Sequence, residues 1–197
     1  MDRYRNFQDL AANESAFCID YHDRGSDVTI CAPHGGNIEP HTSQIARMIS
    51  GNIYNLYCLN GDKSGSNKDL HITSHRFDDD RALQLLSKAA IVITIHGCTD
   101  KKEIVYCGGL DTPLIETISL YLREERIYAV SDDPRYAGKH PDNLCNRGLR
   151  RRGVQLEISR GIRDDLTARQ KTAAAVRSAI RDYKDRERQG SYLSPSR

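Results

Sequence analysis

The sequence predicts an α/β fold: an open, mixed but mostly parallel sheet with helices on both faces. Apolar, strand-like runs alternate along the chain with segments of helical pattern, which is how crossover-connected parallel sheets read. One run, Ala90-Ile91-Val92-Ile93-Thr94-Ile95, is apolar almost throughout, as a strand covered on both faces must be. A third observation is the stretch Cys31-Ala32-Pro33-His34-Gly35-Gly36-Asn37-Ile38-Glu39-Pro40, where a strand runs into a glycine turn and then a helix. In open α/β sheets the carboxyl edge of the strands, where such turns lie, is where ligands bind.

Residues 6–17 read as an opening helix or an irregular piece of an N-terminal arm over 1–20. Val28-Thr29-Ile30-Cys31-Ala32, continuing to Pro33, is the first strand, by its β-branched content. Pro40 suits the first turn of a helix, where its missing N–H costs nothing, so a helix is expected over 40–50, stopped by Gly51. Residues 53–59 alternate and read as a strand, and 60–69 as a polar loop. A helix over 78–88 opens with acidic residues, which suit a helix N-terminus. The apolar run at 90–95 follows, then a short strand at 104–107, a helix over 113–124 and a strand over 126–130. Residues 131–152 are too long for an ordinary connection, and loops of that length are usually functional or disordered. A strand over 154–158 and a closing helix over 165–186 complete the chain, with 189–197 expected as a mobile tail. No linker or internal repeat divides the sequence, so 1–197 is read as one domain.

The chain has 197 residues with 29 basic and 27 acidic ones, a formal net charge of +2, which excludes a surface that is uniformly attractive to polyanions. The charged N-terminus lacks the apolar stretch of a signal peptide, and no run approaches a membrane span. The expectation is a cytosolic protein without a membrane partner. The six cysteines include no C-x-x-C pair, and Cys31, Cys58 and Cys107 lie in or beside apolar runs, as buried thiols do.

Four polar groups stand at strand ends or in their loops: His34, Glu39, His96 just after Ile95, and Glu157 inside Val154-Gln155-Leu156-Glu157-Ile158. The bland readings are a hydrogen-bonded structural histidine, a helix-start charge at Glu39 and an outward-facing Glu157. Two histidines and a carboxylate with one open position are a catalytic rather than a structural zinc set, and a further carboxylate can act as general base. A carboxylate in a strand as apolar as 154–158 is costly unless paired or wet. The long loop contributes Asn146 and Arg147. His71-Ile72-Thr73-Ser74-His75 has the i, i+4 spacing of a helical zinc pair but no helical pattern, so it reads as a loop near the site, with His75 a candidate substrate contact.

The segments Ala32–Pro40, Thr94-Ile95-His96-Gly97 and Gln155-Leu156-Glu157-Ile158-Ser159 resemble the bacteriophage poly-γ-glutamate hydrolases and their Bacillus prophage relatives, over roughly residues 25–185. The resemblance implies a zinc-carboxypeptidase-like α/β fold and cleavage of the γ-amide bonds of poly-γ-glutamate. It implies Zn2+ held by His34, Glu39 and His96, with Glu157 as the catalytic carboxylate. Such a polymer offers one free α-carboxylate per residue, and arginine binds carboxylates bidentately. Arg147 is therefore expected to serve both substrate and reaction, with Asn146, Arg160 and Arg163 as further substrate contacts. For the neighbouring run Arg150-Arg151-Arg152 a solvated surface is at least as good a reading. Two other functions stay open: an exo-acting zinc carboxypeptidase or deacylase on the same fold, and a phage accessory protein whose arginines bind nucleic acid. The near-balanced charge and the absence of a helix-turn-helix pattern count against the last. The oligomeric state is left open.

Overall fold

The computed structural model of the protein describes residues 2–192. Its strands are β1 (Phe17–His22), β2 (Val28–Gly36), β3 (Asn55–Gly61), β4 (Ile91–Gly97), β5 (Ile104–Gly109), β6 (Tyr128–Val130) and β7 (Val154–Ile158). Its helices are α1 (Phe7–Asn13), α2 (Thr42–Ser50), α3 (Asp80–Lys88), α4 (Thr112–Glu124), α5 (Arg160–Arg163) and α6 (Leu166–Tyr192). One seven-stranded sheet runs in the order β1-β3-β2-β4-β7-β5-β6. The central β3, β2, β4 and β7 are parallel, β1 is an antiparallel edge, and β5 and β6 run against β7. The expected mixed, mostly parallel α/β architecture is what the chain adopts.

The period-two alternation of the strands sends alternate residues to opposite faces. Val28, Ile30 and Ala32 of β2, Ile91, Ile93 and Ile95 of β4, and Val154, Leu156 and Ile158 of β7 face one core, closed by α2, α4 and α6. Cys31, Tyr57, Leu59 and Val92 face the other, closed by α1, α3 and loop residues including Ile72, Phe77 and Leu144. On that second face Gln155 and Glu157 lie beside loop residues that frame the site, among them His75, Gly138, His140 and Asn143.

Several boundaries differ from the sequence expectations. The N-terminal stretch is not an arm: Asn6 caps α1 by accepting from the Asp9 N–H, and Phe17–His22 adds an edge strand beside β3. Phe17, Ile19 and Tyr21 alternate toward the second core, a pattern present in the sequence. Pro40 does not open α2. His41 takes a left-handed conformation (φ 73°), which a helix interior cannot accommodate, and α2 begins at Thr42. Gly51 does stop it, with φ 50°. The second expected strand lies at Asn55–Gly61, and β6 begins only at Tyr128, after Arg126 turns the chain at φ 63°. The stretch 131–152 stays irregular apart from short 3-10 turns at Pro134–Tyr136 and Leu144–Arg147. The closing helix continues to Tyr192, so 189–192 are helical, while the rest of the expected tail, 193–197, lies outside the described residues. Among the described residues no helix is long and apolar enough to cross a membrane.

Candidate metal centre and active site

β2 does not end before His34 but continues through Gly36, with a register shift against β3 between Ala32 and Gly35. Ala32 pairs with Cys58 and Gly35 with Asn60, so β2 carries one extra residue there. A bulge of this kind re-aims a side chain, and Pro33, with no N–H to offer the ladder, is compatible with it. Gly35 and Gly36 are required beyond the bulge. A Cβ on Gly35 would collide with the Ser43 hydroxyl, and Gly36 sits at φ 62° against the backbone of Gly61. The chain then folds back tightly, the Glu39 N–H donating to the His34 carbonyl at 2.9 Å.

The fold-back brings Glu39 to His34, and β4 brings His96 to the same place. His34 Nδ1 lies 3.3 Å from Glu39 Oε1 and 3.1 Å from His96 Nδ1. The other oxygen of Glu39 accepts the Gly97 N–H at 2.8 Å. Both histidines are almost fully buried. The far nitrogen of each ring is also engaged: His34 Nε2 donates to the Ile72 carbonyl at 2.8 Å, and His96 Nε2 lies 3.4 Å from Ser74 Oγ. With Nε2 protonated to serve a carbonyl, His34 presents a lone pair at Nδ1. β2 continues leftward in the strand order to β3 and β4 rightward toward β5, so the two histidines flank the switch point where α/β sheets open a crevice.

The electrostatics follow from burial and proximity. Burial pulls His96 down to about 3, and the neighbouring His34 pulls in the same direction. Burial also acts downward on His34, but the charge and hydrogen bond of Glu39 outweigh it, and His34 ends above its ordinary value. Glu39 is pushed up by burial and brought down further by His34, His96 and the Gly97 amide, to about 2. Glu157, opposite His96 across the β4–β7 ladder, is pushed up to about 8, by burial first and then by the charge of Glu39. Only the Gln155 side-chain amide, at 3.2 Å, hydrogen-bonds to it among the described residues.

His71, which the sequence reading passed over in favour of His75, belongs to the site. One ligand atom each of His34, Glu39 and His71 lie within 4.8 Å of one another. The His71 ring stacks on His34 at 4.0 Å and 27°, whereas the His34 and His96 rings meet edge-on at 67° with their Nδ1 atoms 3.1 Å apart. His34 thus has three potential co-ligands around it, Glu39, His71 and His96. Its only sequence signal was the His71-x-x-x-His75 spacing, which suggests a helix that the chain does not form.

Two cavities meet at Glu39, His71 and Thr73. The larger, of about 620 Å³, is lined by Lys68, Arg76, Arg160 and Arg163 among others. The smaller, of about 290 Å³, holds His34, His96 and Glu157 together with His75, Arg135 and Lys139. Arg160 and His75 thus border the cleft as expected, His75 stacked on His140. Arg163 lines it too, but its guanidinium clamps the carbonyls of Ile158, Cys98 and Pro40 at 2.7–2.9 Å. Arg147 and Asn146 need correction. Arg147 lines neither cavity and donates to the carbonyls of Asp142, Phe77 and His75 at 2.7–2.9 Å, so its fork is spent on backbone. Asn146 is fully buried and staples the long loop, donating to the Gly138 and His140 carbonyls and accepting from the Gly153 N–H. Irregular backbone needs such partners, because its carbonyls have no ladder to join.

The fold and site define an α/β protein with imidazole and carboxylate groups of the kinds that can ligate a metal, beside a buried glutamic acid, at the carboxyl edge of its sheet. Within that class the chain belongs to the poly-gamma-glutamate hydrolase family, whose model matches residues 4–186. Among Bacillus subtilis (strain 168) proteins it is 39% identical to the SPbeta prophage-derived protein YoqZ over 162 residues, 80% of this chain and 59% of YoqZ. It is 36% identical to YndL over 169 residues, 84% of this chain and 67% of YndL. The chain thus spans about three fifths of YoqZ and two thirds of YndL. It superposes on the structure of a bacteriophage poly-gamma-glutamate hydrolase with a TM-score of 0.90 at 28% identity, covering 94% of this chain and 99% of that one. The zinc-free apo structure of YndL superposes with a TM-score of 0.85 at 30% identity, covering 93% and 99%.

Proposed function

We propose that the protein is a zinc-dependent amidohydrolase that cleaves the γ-glutamyl amide bonds of poly-γ-glutamate. One observation carries the metal part of this reading: His34 Nδ1 lies 3.1 Å from His96 Nδ1 and 3.3 Å from Glu39 Oε1. Ligands about 2.0–2.1 Å from a tetrahedral zinc lie about 3.3–3.4 Å from one another. The donor chemistry fits as well, since two neutral imidazoles and one carboxylate leave a fourth position open.

Zinc, when bound, acts as a Lewis acid that polarises a carbonyl and acidifies water. The chain's own residues supply the rest. Glu157 removes the proton from the attacking water as the new C–O bond forms. It then delivers that proton to the departing amine nitrogen as the C–N bond breaks, because an amide anion is a poor leaving group. Burial, and then the charge of Glu39, raise its basicity, which suits a group that must both take and return a proton. Lys68, Arg76 and Arg160 on one side, and Arg135 and Lys139 on the other, give the carboxylates along an acidic polymer cationic partners on both sides of the reacting bond. Arg135 and Arg160 are shared with Asp133 and Asp164.

The test measures metal content and product size together. The zinc-loaded protein is expected to shorten poly-γ-glutamate, to stop on chelation and to resume when zinc is restored. A fully loaded protein that leaves polymer length unchanged and releases only terminal residues would move the reading to an exo-acting carboxypeptidase. One that releases nothing removes the substrate assignment.

A further inference from the structure

The two rings that converge on the site do not orient themselves. Each is held at its far nitrogen by a single short segment, 71–77, which supplies the buried Ile72 carbonyl to His34 and the buried Ser74 hydroxyl to His96. Partners of this kind fix the tautomer and rotation of a ligating imidazole. Yet the segment has almost no regular structure of its own, only a 3-10 turn at Ser74–Arg76. Its placement must come from outside.

Two side chains distant in sequence supply it. At one end the Asp2 carboxylate spans two residues of the segment, Oδ1 accepting from His71 Nδ1 at 2.8 Å and Oδ2 from the Thr73 N–H at 2.8 Å. The Asp2 side chain is only 7% exposed, so these bonds are made largely out of water, and its carboxyl lies below its ordinary value: burial pushes it up, but the bonds to Thr73 and His71 outweigh this. At the other end Arg147 donates to the carbonyls of His75 and Phe77 while anchored to the Asp142 carbonyl of the long loop. Ile72 and Ser74, which touch the histidines, lie between the two pins.

We infer that Asp2 and Arg147 are positioning residues for the metal centre: they pin the two ends of segment 71–77, whose Ile72 carbonyl and Ser74 hydroxyl orient the rings of His34 and His96. The inference rests on the reading of those histidines as metal ligands. It gives the N-terminal residues a part in the site and accounts for an arginine whose donors all meet backbone.

Zinc affinity of the full chain, measured by competition with a chromogenic chelator, tests it independently of turnover. Asp2→Ala and Ser74→Ala are each expected to weaken zinc binding by about 10–100-fold, the usual effect of losing an orienting partner. Asp2→Asn, which keeps an oxygen acceptor, should recover most of the loss. Arg3→Ala, which removes the exposed pair with Asp69 and the contact with the Tyr4 ring in the same N-terminal segment, should bind zinc as the unaltered protein does. Arg147→Ala, where it folds, should behave like Asp2→Ala. Unaltered affinity in Asp2→Ala, alongside a His96→Ala variant that has lost its metal, overturns the inference and leaves the ligand assignment standing. Arg3→Ala as weak as Asp2→Ala also overturns it, since the effect would then be general loosening. Unaltered affinity in His96→Ala overturns the ligand assignment itself, and the inference with it.

Discussion

The two faces of β4 and β7 are made by the same strands, one residue out of step, and they do opposite things. On one face Ile93, Ile95, Leu156 and Ile158 are sealed under helices. On the other, His96, Gln155 and Glu157 lie under loops, and their polar groups meet in a crevice. A helix covers a sheet with a stripe of apolar side chains, whereas a loop can offer carbonyls and amides to a buried imidazole. The contrast teaches that the site exists where helical cover stops: α3 closes the second face over β2 and β3, and beyond it 71–77 and the long loop take over.

Adjacent residues on β4 give the sharpest way to break that comparison. His96→Ala should lose bound zinc and essentially all turnover while remaining folded. Ile95→Ala should keep the donor set and lose stability instead, by about 2–5 kcal/mol for a buried Ile truncation. Metal analysis and a denaturant titration on both variants check the pair; equal stability losses with metal retained in both would erase the distinction between the faces.

β7 allows the same test for catalysis. Glu157→Gln preserves the shape and removes the base, so it should bind zinc and polymer yet lose roughly two to four orders of magnitude in kcat. Leu156→Ala should be less stable, and its folded fraction should keep most of its activity. A folded, zinc-loaded, fully active Glu157→Gln protein would take Glu157 out of the mechanism.

A smaller effect concerns pH in the chelated protein. Glu157 has a folded pKa of about 8, above its ordinary 4.5, so the folded state holds a proton that the unfolded chain has released. Its contribution is fully present below about 4.5 and is lost as pH rises through about 8, with a slope of at most about 1.4 kcal/mol per pH unit. Glu39, at about 2, works in the opposite sense: its contribution is present above 4.5 and is lost as pH falls through about 2. His96, held at about 3, opposes this decline up to about 6.5, so melting temperature should fall mainly between about pH 6.5 and 8, and Glu157→Gln should flatten that decline. An identical slope in the variant would assign it to another group.

The smallest expected change is at the rim. Arg160 is paired with Asp164 on the surface, so Arg160→Ala should alter stability by less than about 1 kcal/mol. Its effect belongs in KM for the acidic polymer, measured with kcat unchanged; a loss confined to kcat would place Arg160 at the reaction itself.

Much of this was legible in the residues because it depends on local pattern. The apolar run 90–95, the glycines at 35 and 36 and the polar Glu157 inside an apolar strand all express constraints that act within a few residues: pleat, turn sterics and the cost of burying charge. Those constraints suffice to put His34, Glu39, His96 and Glu157 at one edge of a mostly parallel sheet. Tertiary structure decided what each long side chain touches. Arg147 and Asn146 read as substrate groups, but unladdered carbonyls of the long loop and of segment 71–77 claim their donors. His71 comes beside His34, and Asp2 beside His71, through contacts spanning 37 and 69 residues that no local pattern encodes. A strand's period can be read from its neighbours in sequence, but a hydrogen-bond partner across the fold is chosen only when packing decides which carbonyls are left without one.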